Sequence, residues 1–254
     1  VKEIEGRYGQ MRCVKCQAEN AADHRYCKAC GNALEPVEVT GDLERAHLLE
    51  RQGRMAEAAQ EYRKALALDP ENVAARYGFG LLLYHEGQLD EAIQELQRAV
   101  VRDPAFADAH FMLSVCHYRK CMFEESAAAA RQALAIDPGY SPALYRCGRA
   151  LFHLGKLDEA AQALETLVRL QPSNIIAYYH LGTAYERMRE WDRAIHAFSR
   201  VVAENPRDAS SFYHLGLNYR RRMLNDLAVG AFTKVLELNP QDAAAAEQLQ
   251  HLQR

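Results

Sequence analysis

Four cysteines carry the clearest chemical signal in the chain: Cys13 and Cys16, then, after ten intervening residues, Cys27 and Cys30. Two residues between the members of each pair let the backbone bend round a single ion. Four sulfurs saturate tetrahedral zinc and leave no position open for water or substrate, so such a site is structural rather than catalytic. The expected cofactor is therefore one structural Zn2+ held by Cys13, Cys16, Cys27 and Cys30. Iron in a four-cysteine site is the alternative metal, and the short gap favours zinc. Disulfides would require an oxidising compartment, and no secretory signal peptide is visible. A redox-active CxxC would require a βαβ setting, which the surrounding residues do not offer. His24 could only replace a thiolate that is already present.

The stretch Met11 to Leu34, closing on Cys30-Gly31-Asn32, resembles the short zinc-ribbon domains of bacterial and archaeal proteins. The resemblance implies a small, β-rich, metal-stabilised domain over residues 11–34. About two dozen residues cannot bury a stabilising core. Metal ligation would supply much of the folding energy, on the order of 10 kcal/mol. Such a ribbon binds protein or nucleic acid, or caps the element that follows. Arg12, Lys15, Arg25 and Lys28 against Glu19 and Asp23 give too small a basic excess to argue for nucleic acid. Ile4-Glu5-Gly6-Arg7 matches a protease site used to release fusion partners, so residues 1–10 are expected to be a non-native leader and Met11 the native start. A valine-coded start at Val1 is the alternative.

The elements that position everything else follow from a period. Pro70, Pro104, Pro138, Pro172, Pro206 and Pro240 stand at uniform intervals of 34 residues. That spacing fits stacked helix–turn–helix units. In the unit Val73–Phe106, Ala74–Glu86 reads as one helix, with Tyr77, Leu81 and Tyr84 on one stripe. Gly87-Gln88 breaks it. Leu89–Arg102 reads as a second helix, with Ala92, Leu96, Ala99 and Val100 facing inward, and Asp103-Pro104 ends it. Small residues recur where helices must approach closely: Gly80, Gly148, Gly182 and Gly216 at one repeat position, Ala58, Ala92, Ala160, Ala194 and Ala228 at another.

Repeat 5 (Tyr178, Leu181-Gly182, Tyr185, Ala194, Phe198, Pro206) and repeat 6 (Phe212, Leu215-Gly216, Tyr219, Ala228, Phe232, Pro240) resemble the tetratricopeptide repeat, or TPR. Repeat 3 departs from the pattern at Ser114, His117, Ser126 and Ala130, and repeat 1 at Asp42 and Arg45. The resemblance implies an all-α fold: a right-handed superhelical solenoid of six repeats over residues 42–242, after a linker at 35–41 and before a capping helix at 243–254. In that last helix Ala243, Ala246, Leu249 and Leu252 are expected to face inward and cover the final repeat.

The family's first helices line a concave groove, and the resemblance places a partner there. Tyr77, Phe111, Tyr145, Tyr179 and Tyr213 stack at one groove position, with Tyr84, Tyr118 and Phe152 at a second. Arg51, His85, Arg119, His153, Arg187 and Arg221 form a basic ladder, with Arg149 and Arg220 beside it. Part of this needs no ligand. Groove aromatics also pack against neighbouring helices, and cations near helix C-termini stabilise the macrodipole by roughly 0.3–1 kcal/mol each. An aromatic floor with basic walls nevertheless suits an extended acidic or C-terminal segment of another protein. Charge reversal at Arg119, Arg187 and Arg221 is expected to abolish such binding. The family's carboxylate clamp is not expected, because its asparagine is missing: the relevant positions hold His47, Leu81, Val115, Arg149, Thr183 and Leu217. His180 and His214, one repeat apart, could form a pH-sensitive or metal-binding pair, although lone helical histidines are usually structural.

Two other partner readings stand beside this one. The ribbon and basic groove could touch nucleic acid, or Glu57, Glu91, Glu125 and Glu159 could dock into the groove of a second copy. A net charge of −3 over 254 residues gives no electrostatic case for a nucleic-acid binder as a whole. No apolar run approaches the ~20 residues that span a bilayer, and a cytoplasmic location is expected. No phosphate loop, GxSxG elbow or HExxH helix is present, and nothing argues for an enzyme. Cys116 and Cys147 read as small hydrophobes between helices. Cys121 reads as an exposed thiol at the turn position held elsewhere by Gly53, Gly87 and Gly155.

Overall fold

The computed structural model describes residues 10–12, 19–21 and 38–252 of the chain. Cys13, Cys16, Cys27, Cys30 and residues 1–9 lie outside the described residues. The chain divides into two compact units, residues 1–88 and 89–254. The first holds β1 (Gln10–Arg12) and β2 (Glu19–Ala21), then α1 (Glu38–Arg51), α2 (Met55–Leu68) and α3 (Val73–His85). The strands pair antiparallel, with Met11 opposite Asn20. The second unit holds α4 (Leu89–Arg102), α5 (Ala107–Arg119), α6 (Phe123–Ile136), α7 (Ser141–His153) and α8 (Leu157–Leu170). It continues with α9 (Ile175–Met188), α10 (Trp191–Glu204), α11 (Ala209–Arg221), α12 (Asn225–Leu238) and α13 (Ala243–Leu252).

Local chemistry sets these boundaries. Five of the six prolines follow Asp or Asn, and in each case the Oδ1 accepts from the backbone N–H two residues on, at 2.9–3.3 Å (Asp69, Asp103, Asp137, Asn205 and Asn239). This side-chain turn, together with the restriction that proline imposes on the residue before it, stops these five second helices, and α8 ends before Gln171-Pro172. Asn72 and Asn174 then cap α3 and α9, accepting from the N–H of Ala75 and Ala177 at 2.9 and 3.0 Å. Within each repeat the first helix ends in a left-handed residue, supplied by Gly53, Gly87 and Gly155 and elsewhere by Cys121, Arg189 and Met223. α1 begins at Glu38, so the end of the expected linker is helical.

The core repeats with the sequence. Ala58, Ala92, Ala160, Ala194 and Ala228 are fully buried, and so are Tyr62, Leu96, Leu164, Phe198 and Phe232. Gly182 and Gly216 face the last two of these: a Cβ on either would stand 2.8 or 2.6 Å from the phenylalanine ring. Burying each such ring contributes roughly 1.5–3 kcal/mol. Repeat 3 replaces the glycine and alanine with Ser114 and Ser126, which stay buried because their hydroxyls bond each other at 3.1 Å. Cys116 and Cys147 are buried as expected; burial pushes the Cys116 thiol up to about 11 and the Cys147 thiol up as well. Cys121 is exposed, at φ 58°.

In the second unit every helix packs on its neighbours in sequence, and the first helices α5, α7 and α9 also touch in succession. That succession makes one continuous face. α13 covers the end with Leu249 and Leu252 as expected, but not with Ala243. Ala245, Leu249 and Leu252 pack on Phe232 and Val235, while Ala243, in the first turn, is exposed.

Candidate functional site

On α7, Tyr145, Arg149 and Phe152 share one stripe at spacings of four and three, and His153 adjoins them. α5 brings Tyr118 alongside, and α9 brings Tyr179, His180 and Arg187. Three tyrosine–histidine bonds link consecutive repeats. The Tyr118 hydroxyl meets His153 Nε2 at 2.8 Å, that of Tyr145 meets His180 Nε2 at 3.0 Å, and that of Tyr179 meets His214 Nε2 at 3.3 Å. Each pair lies 35 residues apart, one repeat plus one.

Guanidinium groups cover these rings. Arg146 and Arg149 lie 4.6 and 5.1 Å from the centre of the Tyr118 ring, and Arg149 also lies 5.8 Å from that of Tyr145. Arg187 sits 4.7 Å over Phe152 and donates to the Phe152 carbonyl at 3.1 Å. Among the described residues no carboxylate stands within ion-pair distance of Arg149 or Arg187, whereas Arg131, Arg193 and Arg222 elsewhere pair with Glu159, Glu165 and Asp192. The uncompensated positive charge is felt by the histidines. Burial, then Arg149, then His153 hold His180 down to about 4. Burial, then Arg149 and Arg187 lower His153. A cavity of about 110 Å³ opens among these residues, lined by Gly148, Arg149, Phe152, His153, Leu164 and His180.

The expected groove residues therefore have different surroundings. Tyr118, Tyr145, Arg149 and Arg187 converge. Tyr179 bonds His214 and packs on Phe198 (5.7 Å). Phe111 and Tyr213 pack edge-on against Tyr140 and Phe232 at 5.5 and 5.7 Å, as the packing share of the aromatic signal requires. Arg221 lies 5.9 Å over Trp191. Arg220 bonds Gln248 of α13, which ties it to the cap. Arg119 ends α5 on an exposed turn. Tyr77 and Tyr84 belong to α3 in the first unit, with Tyr84 packed on His85 at 5.4 Å. His180 and His214 have different partners: His180 bonds Tyr145, while His214 bonds Tyr179, stacks on Phe198 and lies 2.8 Å from Glu186. No group of three or more metal-ligating side chains occurs among the described residues.

A family model described as tetratricopeptide repeat matches residues 43–105, 87–141 and 179–243, and a second of the same description matches 122–181. The chain belongs to the tetratricopeptide repeat family. Similar solved structures include YrrB, described as a TPR protein with an unusual peptide-binding site. It is 22% identical over 76% of this chain and 99% of its own, with a TM-score of 0.70. MamA is 27% identical over 65% of this chain and 96% of its own, with a TM-score of 0.61. PilF of Pseudomonas aeruginosa is 18% identical over 85% and 96%, with a TM-score of 0.64. No curated protein matches the chain. The TPR repeats therefore account for the helices from α1 to α12. No helix among the described residues is long and apolar enough to cross a membrane.

Proposed function

We propose that this TPR chain is a non-catalytic interaction scaffold whose first helices bind an extended acidic or C-terminal segment of another protein. The observation that carries this reading is the placement of Arg149 and Arg187 over aromatic rings without carboxylate partners, on the face that α5, α7 and α9 share. A carboxylate arriving there gains charge-assisted hydrogen bonds to a guanidinium that the ring already orients. The similarity to YrrB, described as having a peptide-binding site, agrees with the class of partner. Self-docking has less support, because Glu57 and Glu159 already engage Arg54 and Arg131 of the same chain.

Selection of a displayed random-peptide library on the full chain tests the reading, with Arg149→Glu/Arg187→Glu as the control. Enrichment of acidic or C-terminal motifs on the natural chain alone is expected. Equal enrichment on both would move the site elsewhere. Nucleic-acid binding that falls steeply with salt, by about 10³-fold or more between 50 and 200 mM, would replace the peptide reading with a phosphate one.

Cys13, Cys16, Cys27 and Cys30 are proposed to hold one structural zinc, making residues 11–34 a support for the helices or a second docking module. The first CxxC falls in sequence between β1 and β2, the arrangement a ribbon knuckle needs. Replacing the metal with Co2+ should give intense thiolate-to-metal absorption and tetrahedral d–d bands at one ion per chain. A spectrum without them would remove the metal from the account.

A further inference from the structure

We infer that the cavity among α7, α8 and α9 seats one aliphatic side chain of the bound segment, next to a carboxylate held by Arg149 and Arg187. The inference rests on the peptide-binding reading and sharpens it to a ligand class. In repeats 5 and 6 the position facing the close-approach glycine is phenylalanine, Phe198 against Gly182 and Phe232 against Gly216. His214 then stacks flat on Phe198 at 4.8 Å and 7°, filling the space between repeats. In repeat 4 the corresponding residue is Leu164, facing Gly148. Leucine covers less than a phenyl ring. His180, at the repeat position of His214, makes the equivalent tyrosine bond, to Tyr145, but faces Leu164 where His214 has the Phe198 ring. Part of the space that a ring fills in repeats 5 and 6 is therefore left over, and the cavity lies beside Gly148 and Leu164.

Its walls select the occupant. Gly148, Leu164 and the Phe152 ring are apolar, and His180, held uncharged at neutral pH by its burial and by Arg149, does not oppose an apolar guest. About 110 Å³ is smaller than the ~150 Å³ cavity that admits benzene, so the fit is aliphatic rather than aromatic. Arg149 is itself part of the lining, and Arg187 lies 4.7 Å over the Phe152 ring. A carboxylate on the buried residue itself or on the residue beside it lies within reach of these guanidinium groups, which pair with no other carboxylate among the described residues. Either a C-terminal carboxylate or a neighbouring Asp or Glu supplies it.

The probe is the fluorescein-labelled peptide Ser-Asp-Glu-Glu-Leu, titrated against the full chain by anisotropy. Replacing its leucine with alanine should weaken binding about tenfold or more, as loss of a buried leucine side chain requires. Replacement with tryptophan should weaken it as well. Amidating the C-terminus distinguishes the sources: lost affinity assigns the terminal carboxylate, retained affinity the acidic side chains. Leu164→Phe reproduces the packing of repeats 5 and 6; it should erase the leucine-over-alanine preference while leaving residual acidic binding and the melting temperature in place. A leucine preference that survives in folded Leu164→Phe would overturn the cavity assignment and leave the groove reading standing. So would equal binding of leucine and alanine peptides to the natural chain, a comparison that holds even if the variant does not fold. Absence of any acidic-peptide binding would bring down both.

Discussion

At the scale of the residue, His180 shows how the arginine-rich face shapes its own chemistry. The unfolded imidazole takes its proton near pH 6.5, while the folded one resists until about 4. Between those values the unfolded state holds the extra proton, so stability is complete above the window and falls as pH drops through it. His180→Gln keeps a hydrogen-bonding partner for Tyr145 and removes the titration. The melting temperature of this variant should fall less than that of the natural chain between about pH 6.5 and about 4; parallel curves would mean that His180 is not shifted. The tyrosine–histidine bonds on this face join residues 35 apart in the sequence. Reading down single repeat positions hid them, because each bond joins one position to the next position of the following repeat. Arg146, over Tyr118, falls outside the repeat positions that carry the basic ladder.

At the scale of the element, the helix–turn–helix unit was legible almost to the residue, since proline spacing and hydrophobic stripes are local signals. α4 matches its expected bounds, and α3 differs by one residue at each end. The turn chemistry was less uniform than the glycines suggested. Cys121, Arg189 and Met223 adopt φ near 60°, where a Cβ costs roughly 1–2 kcal/mol. Arg189→Gly and Met223→Gly should each stabilise the chain by about 1 kcal/mol in urea unfolding, offset only by the entropy of glycine in the unfolded chain. A loss of stability would show that these side chains make compensating contacts. Gly182→Ala probes the opposite limit. Its Cβ would meet the Phe198 ring at 2.8 Å, and about 1–3 kcal/mol of destabilisation is expected from overpacking. In α13 the expected Leu249 and Leu252 do face the core, whereas Ala243 sits in the exposed first turn and Ala245 reaches the core in its place.

At the scale of the whole molecule, a TPR chain stores stability in nearest-neighbour interfaces, and its end repeats need cover. α13 supplies that cover through Ala245, Leu249 and Leu252 and through the bond of Gln248 to Arg220. Removing residues 241–254 should lower the melting temperature and expose Phe232 and Val235 to dye binding, and unchanged unfolding would deny the helix a capping role. Function was legible only as a class, because a solenoid advertises its fold at every repeat and its ligand at only a few side chains. Among the described residues, the separation of Arg149 and Arg187 from carboxylates is a property of packing that spacing alone does not encode. The central claim is that these two arginines receive a partner's carboxylates. It is tested most directly by calorimetric titration of an acidic peptide into the natural chain and into Arg149→Glu/Arg187→Glu, both confirmed helical by circular dichroism. Saturable binding that disappears in the variant is the predicted result. Equal affinity in both proteins would contradict the account.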